Sequence, residues 1–414
     1  MATLDDAREV LRNRFGHDDF RGPQARVIEA ALEGHDVLAV LPTGFGKSAC
    51  FQIPAVLGRG TTVVVSPLIS LISDQVNRAR ERGLAARGWS SATAPDERRR
   101  LLDELAAGTL RLLYLSPERL ETESARRLLQ AGRVDRLAVD EAHCIAQWGH
   151  DFRPSYLRIA VAHGGMGGRR PPIIALTATA TARTRREIES SLGLREPIRV
   201  LHAVDRPNLH LGVRRADHPA EALIGVARAL RAWPGPAIVY AGTRERSARV
   251  AIALVRRGFS AAPFHAGLTL ERREWTQRRF LNGALRIVCA TSAFGMGIDH
   301  SGVRLVAHVG ASPSLEEYVQ EAGRAGRDGE PSGCILWWLR SDDLRHGCRG
   351  AGKGRGPSGD GDTRALARRQ AVRDYALGGS CRRSLIAHYF GERPPACESC
   401  DVCGVVSGSW KSLT

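Results

Sequence analysis

Three short stretches of this chain carry side chains whose types and spacing suit phosphate chemistry. In DVLAVLPTGFGKSACFQIPAVLG a hydrophobic run delivers Thr43-Gly44-Phe45-Gly46-Lys47-Ser48 to the start of a helical pattern. There Gly44 and Gly46 let backbone amides face a phosphate, and the new helix directs its positive end at it. Lys47 neutralises the outer phosphates of a nucleotide, and the Ser48 hydroxyl is a ligand for Mg²⁺. RLAVDEAH is a strand pattern that brings Asp140 to the same metal and sets Glu141, with His143 close by, where a water in line with the γ-phosphate is polarised. Adjacent carboxylates alone are more often a solvated pair; after a phosphate loop, in this chain order, they complete a hydrolytic site for ATP. The third stretch, QEAGRAGRDG, holds Gln320, Arg324 and Arg327. Two arginines three apart are expected on one helical face, able to reach the transferring phosphoryl group from another lobe and so couple hydrolysis to domain movement.

A separate set of residues suits a structural metal. Cys381 and the run Cys397-x-x-Cys400-x-x-Cys403 supply four thiolates, the tetrahedral complement of Zn²⁺. An iron–sulfur cluster or unligated buried thiols are the alternatives, and His388 is a substitute ligand. Cys50, Cys144, Cys289, Cys334 and Cys348 read as core or free thiols.

The elements that must hold these groups are short aliphatic runs, each ending in small or polar residues: DVLAVLP, TTVVVSP, RLLYLSP, RLAVDE and PIIALTAT, then AIVYAGT, LRIVCATS and VRLVAHVG. Helical stretches alternate with them, which predicts an α/β fold of parallel sheets whose strand ends converge on one ligand-binding rim. Pro and polar residues interrupt the pattern at about 196–236, so two sheets in two lobes are expected. HGCRGAGKGRGPSGDGD reads as a flexible linker, and the Gly-rich HGGMGGRR at 163–170 as a surface loop.

At 414 residues the chain exceeds one ordinary core, and 43% hydrophobic with 25% charged residues is an ordinary globular composition. No apolar run is long enough to span a bilayer, so no membrane partner is expected. The N-terminus has early acidic residues and no apolar core, unlike a signal peptide, so a cytoplasmic location is expected. A net charge of +16 favours a polyanionic partner. Lysine, however, occurs only at 47, 353 and 411, so the arginine excess also fits a compositional bias.

Together these residues resemble the RecQ family of superfamily-two DNA helicases, from about Phe15 to Cys403. The phosphate loop has Leu41 where the strict pattern has glycine, a spacing that fits the helicase variant. FGHDDFRGPQ resembles motif zero, which implies that Arg21 and Gln24 contact adenine and puts His17 where an aromatic ring commonly stacks. SPLISLISDQV, with Ser70, and YLSPERL resemble motifs Ia and Ib, which touch the DNA backbone in relatives. ALTATA resembles motif III, and CATSAFGMGID motif V, with Asp299 near the ribose. QEAGRAGRDG resembles motif VI, with Arg327 as the arginine finger. DEAHCIAQWGHDFRPSY is similar to the aromatic-rich loop, with Ala146 where serine is usual. Pattern alone would put Trp148 and Phe152 in the core. The resemblance instead implies that they stack on unpaired bases while Arg153 meets a phosphate or a carboxylate.

The resemblance implies two RecA-like parallel-sheet lobes with a small C-terminal helical zinc-binding module. The expected divisions are lobe 1 at 1–205, lobe 2 at 206–340, the linker at 341–362, the zinc module at 363–405 and a tail at 406–414. ATP, Mg²⁺ and Zn²⁺ are the implied cofactors, and single-stranded and forked DNA the partners. The implied activity is ATP-driven 3′→5′ translocation and unwinding in DNA repair or recombination. Relatives usually continue into a winged-helix domain that wedges the duplex, whereas this sequence stops at Thr414. A monomer with weak strand separation, or one aided by a helper protein, is therefore expected. An RNA helicase, or a binding regulator with vestigial ATP motifs, are the competing readings.

Overall fold

A computed structural model describes residues 2–404 except 91–92, 147–151, 165, 167–169, 296–299 and 347–359. The chain divides into two compact units, Met1–Ala203 and Val204–Thr414. In the first unit the strands are β1 (Val37–Val40), β2 (Thr61–Val65), β3 (Ala86–Trp89), β4 (Leu112–Leu115), β5 (Val134–Val139), β6 (Ile173–Thr177) and β7 (Ile198–Leu201). They form one sheet in the order β3-β4-β2-β5-β6-β1-β7, with every pairing parallel. Crossover helices cover both faces of such a sheet, so its central strands are apolar throughout rather than alternating. Accordingly every residue of β1, β2, β4 and β6 is buried.

The second unit holds β8 (Leu209–Ala216), β9 (Ala237–Ala241), β10 (Ala261–Phe264), β11 (Ile287–Ala290), β12 (Leu305–Val309) and β13 (Ser332–Leu339). Their order is β10-β11-β9-β12-β13-β8, again parallel throughout. The two sheets and the alternation with helices are as expected. The stretch at 196–236, expected to interrupt the pattern, instead contains β7, β8 and the Pro219–Ala232 helix. β8 was hidden because it is an edge strand, pairing on one side with β13 and carrying Arg214 and Arg215.

Two further expectations change. Helices Arg340–His346 and Asp360–Leu377 extend into the expected 341–362 linker from both sides, leaving 347–359 outside the described residues. The first is anchored by Asp342, whose carboxylate accepts from the N–H groups of Leu339 (2.9 Å) and Ala311 (3.0 Å). Within HGGMGGRR, His163 ends a short helix and is buried, its Nε2 2.6 Å from the Pro171 carbonyl, and Met166 packs into the core. Because those two side chains are fixed, that part of the segment is not a free surface loop.

Candidate nucleotide site and metal centre

The carboxyl ends of the first sheet carry the expected groups. Beyond β1 the chain turns through Gly44 (φ +91°) and Gly46 (φ +69°), left-handed conformations that glycine adopts without strain, and enters the Ala49–Leu57 helix. Thr43, Lys47 and Ser48 are half-buried. Lys47 Nζ donates to the Leu41 carbonyl at 3.2 Å, which holds the ammonium over the loop that it closes. Gln24 is buried and clamps the same loop. Its Nε2 donates to the carbonyls of Phe45 (2.5 Å) and Gly46 (3.1 Å), while its Oε1 accepts from the Arg21 N–H (2.8 Å). The amide is thus committed to the loop backbone, and the Arg21 and His17 side chains are exposed.

Asp140 follows β5, and its N–H donates to the Val65 carbonyl of neighbouring β2 at 2.9 Å. Gln75, on the Ile69–Glu81 helix, donates to Asp140 Oδ2 (2.8 Å), and the Glu141 N–H donates to Oδ1 (3.0 Å). Burial, and then the adjacent Glu141 carboxylate, push the Asp140 acid up to about 6, although the Gln75 bond and the nearby Lys47 charge pull the other way. A cation there would relieve this cost directly. Glu141 sits in the left-handed region (φ 48°, ψ 46°), a strained backbone for a residue with a Cβ and worth about 1–3 kcal/mol. Its Oε2 is buried 3.3 Å from His143 Nδ1 with no hydrogen bond among the described residues.

His143 Nδ1 lies 3.0 Å from Thr177 Oγ1, which donates to the Thr179 carbonyl at 3.1 Å. With that hydroxyl proton committed, the imidazole is the donor, so the ends of β5 and β6 are tied by one oriented chain. Tyr156 Oη donates to the Asp140 carbonyl at 3.0 Å. Phe152 and Arg153 are half-buried. The Arg153 N–H donates to the Cys144 carbonyl (2.9 Å) and its Nη1 to the Pro67 carbonyl (2.6 Å), so the segment returns to the ends of β5 and β2. Trp148 and Asp299 lie outside the described residues, and Ser70 is placed only as a helical position. The carboxylate's donor Gln75, the histidine's acceptor Thr177 and the hydroxyl of Tyr156 are additions to the residues singled out from sequence. ISDQV and ALTATA contain the first two, but only the fold brings them to Asp140 and His143.

In the second unit Gln320 is half-buried on the Leu315–Ala322 helix, which ends at the Gly323 cap. Arg324 and Arg327 therefore lie on the turns after the helix, not on one helical face as expected. Gly326 (φ +54°) lies within those turns. A Cβ there would stand 2.4 Å from Asn208 Nδ2, and that amide donates to the Gly326 carbonyl at 2.8 Å. Arg324 is buried beside Tyr240, whose hydroxyl donates to the Phe294 carbonyl at 2.8 Å. The His308 ring stacks on Tyr240 with centroids 5.2 Å apart, and its Nε2 meets Glu321 Oε2 at 2.8 Å.

The Sγ atoms of Cys381, Cys397, Cys400 and Cys403 all lie within 4.8 Å of one another. Four thiolates around Zn²⁺ at about 2.3 Å stand roughly 3.8 Å apart, so this donor set fits zinc with little adjustment. Burial opposes ionisation of Cys400, but backbone N–H groups of Arg382, Cys403 and Val402 directed at its sulfur bring the thiol down to about 7. His388 is not in the set; its Nδ1 donates to the Ser384 carbonyl within its own helix (3.1 Å). The cysteine turn adds to edge strand β8: the Leu211 N–H donates to the Ser399 carbonyl (3.1 Å), and the Asp401 N–H to the Leu211 carbonyl (2.9 Å). Arg382 Nε pairs with Asp401 Oδ1 at 2.8 Å. Buried Arg383 donates to the carbonyls of Arg206 (3.0 Å), Pro207 (3.1 Å) and Leu209 (2.7 Å) and to Ser399 Oγ (2.8 Å), and pairs with Asp205.

Two parallel-sheet units, a phosphate loop and a paired-carboxylate strand end in the first, and paired arginines beyond a capped helix in the second define a RecA-like helicase core. Family models agree: DEAD/DEAH box helicase matches residues 21–188, the helicase conserved C-terminal domain 220–329, and RecQ zinc-binding 353–404. The chain is 40% identical over 407 residues to the ATP-dependent DNA helicase RecQ of Haemophilus influenzae, covering 96% of this chain and 63% of that protein. It is 39% identical over 402 residues to its Bacillus subtilis counterpart, covering 97% and 67%. It belongs to the RecQ family, and spans about two thirds of the length of these bacterial relatives. The fold is also that of the helicase MrfA bound to DNA (TM-score 0.69, 18% identity, 84% of this chain and 53% of that one). Mycobacterium smegmatis Lhr bound to single-stranded DNA and AMP-PNP is similar as well (TM-score 0.65, 24% identity, 82% and 48%). No described helix is long and apolar enough to cross a membrane.

Proposed function

We propose that this protein is a DNA-stimulated ATPase that moves 3′→5′ along single-stranded DNA and unwinds forked duplexes in repair or recombination. The observation that carries the reading is the rim of the first sheet, where Lys47, Asp140, Glu141 and His143 meet at the ends of β1 and β5 in a RecQ-family chain. In this reading Gly44, Gly46 and Lys47 cradle the triphosphate, with Thr43 beside them, and Ser48 and Asp140 hold Mg²⁺. That ion would draw charge from the phosphoryl oxygens. Glu141 accepts the proton of the attacking water, while His143, fixed by Thr177, reports the state of the site to the end of β6. Gln320, Arg324 and Arg327 serve the γ-phosphate during turnover, with Arg327 as the finger. Arg21, Gln24 and His17 receive adenine, and Asp299 the ribose. Ser70, Trp148, Phe152 and Arg153 contact DNA. Because Arg153 is bonded to Cys144 and Pro67, strand occupancy reaches Asp140 through few residues. Cys381, Cys397, Cys400 and Cys403 hold structural zinc. The protein acts as a monomer in the cytoplasm, and a helper protein would raise its unwinding.

The test is strand displacement on duplexes with a 3′ or a 5′ single-stranded tail, with RNA tails of equal length alongside. Unwinding of the 3′-tailed DNA, dependent on ATP, is expected. Preference for the RNA tails would favour an RNA remodeller instead, since only RNA offers a 2′-hydroxyl.

A further inference from the structure

Phe45 is the one bulky residue of the phosphate loop, half-buried between two glycines of positive φ. Its ring meets that of His202, with centroids 4.4 Å apart and planes tilted by 52°. His202 follows β7, and its N–H donates to the Val40 carbonyl at 2.9 Å, so the ring pair bridges the ends of the paired strands β1 and β7. Gly22 closes onto both rings: a Cβ there would stand 3.3 Å from Phe45 Cε1 and 3.6 Å from His202 Cδ2, at a φ of +49°. Gly22 lies between Arg21 and Gln24, and Gln24 itself holds the Phe45 carbonyl at 2.5 Å. The two rings thus flank the turn assigned above to the nucleotide base. His17, by contrast, is an exposed imidazole next to the Gly16 cap.

We infer that Phe45 and His202 form an aromatic wall for the purine base of the bound nucleotide, and supply a packing face that His17 alone offers only in part. The inference rests on the nucleotide reading of this site. The wall is preorganised, because Gln24 fixes the Phe45 backbone and the β1–β7 pairing fixes His202, so little side-chain freedom is lost when a flat ring packs on it. A carbon face attracts any purine alike. Phe45 and His202 therefore set affinity for the base without choosing between adenine and guanine.

The experiment compares KM for ATP and for GTP with the inhibition constant of inorganic tripolyphosphate, which has the phosphates and no base. It uses the full chain, Phe45→Gly, His202→Asn and, as a conservative control, Phe45→Tyr. Loss of one stacking face is expected to raise KM for both nucleotides about tenfold in Phe45→Gly and in His202→Asn, with tripolyphosphate inhibition unchanged and Phe45→Tyr close to the parent. Unchanged KM values in both variants would overturn the inference, as would a parallel loss of tripolyphosphate binding, which would assign Phe45 to the phosphates. A parent protein that binds neither ATP nor tripolyphosphate would instead overturn the nucleotide reading itself.

Discussion

Replacing Arg383 with Met should loosen the cysteine-bearing module from the second sheet while leaving the first unit untouched. The guanidinium is 3% exposed, and its partner Asp205 is 24% exposed. Besides that pair it donates to three backbone carbonyls and to Ser399 Oγ. Met fills much of the same volume, so the loss is polar rather than a cavity. Breaking a buried pair by removing one partner costs about 3–5 kcal/mol. Because Asp205 can turn partly to water, the lower end applies, about 3 kcal/mol. In a unit of roughly 200 residues each kcal/mol lowers the midpoint by about 2–4 °C, so the zinc-loaded variant should melt roughly 6–12 °C below the parent. Zinc should also pass faster to a chromophoric chelator, because the Ser399 contact steadies the turn that carries Cys397 and Cys400. Arg383→Lys should fall between the two, since it keeps the Asp205 pair but not the fan of donors. If the Met variant melted with the parent and released zinc at the same rate, the arginine would not be what joins module and sheet.

Lys47→Ala and Glu141→Gln should each abolish ATP turnover without altering the melting profile, as checked by a coupled hydrolysis assay beside circular dichroism. Arg327→Lys should keep nucleotide affinity and lower turnover by about 10³-fold or more, because a point charge cannot reproduce the planar fork around the transferring phosphoryl group. Cys400→Ser should reduce zinc, measured by elemental analysis, from one per chain to near none and lower the stability of the second unit. In chelator-treated protein the raised acid of Asp140 favours its neutral form. Its contribution to stability is therefore full below the ordinary carboxylate range and is lost as pH rises through about 6. Asp140→Asn should flatten that part of the melting-temperature profile.

The parts of the fold most legible in the sequence were the buried parallel strands, because a strand covered on both faces is apolar without interruption. β1, β2, β4 and β6 could each be read that way, as could Leu137–Val139 of β5, together with the polar residues at their ends. Edge strands escaped because nothing requires both their faces to be apolar: ARGW of β3 and LHLGVRRA of β8 are examples. β13, SGCILWWL, is buried along its whole length and was not singled out. Local spacing singled out Lys47, Asp140, Glu141 and the four cysteines as candidates, since each chemistry constrains residues close in sequence. It could not identify Gln75, Thr177 or Arg383, whose partners are set by strand order and lie far away along the chain. The arginines of QEAGRAGRDG were placed on a helix because their spacing suits one. The helix ends before them at the Gly323 cap, a stop that their spacing does not show.

Under the proposed function, ATP hydrolysis is driven by a bound single strand. The direct measurement is the steady-state rate of phosphate release with and without an unstructured single-stranded DNA oligonucleotide, at saturating MgATP. A many-fold rise with DNA that disappears in Lys47→Ala is expected. A rate indifferent to every nucleic acid offered would contradict it.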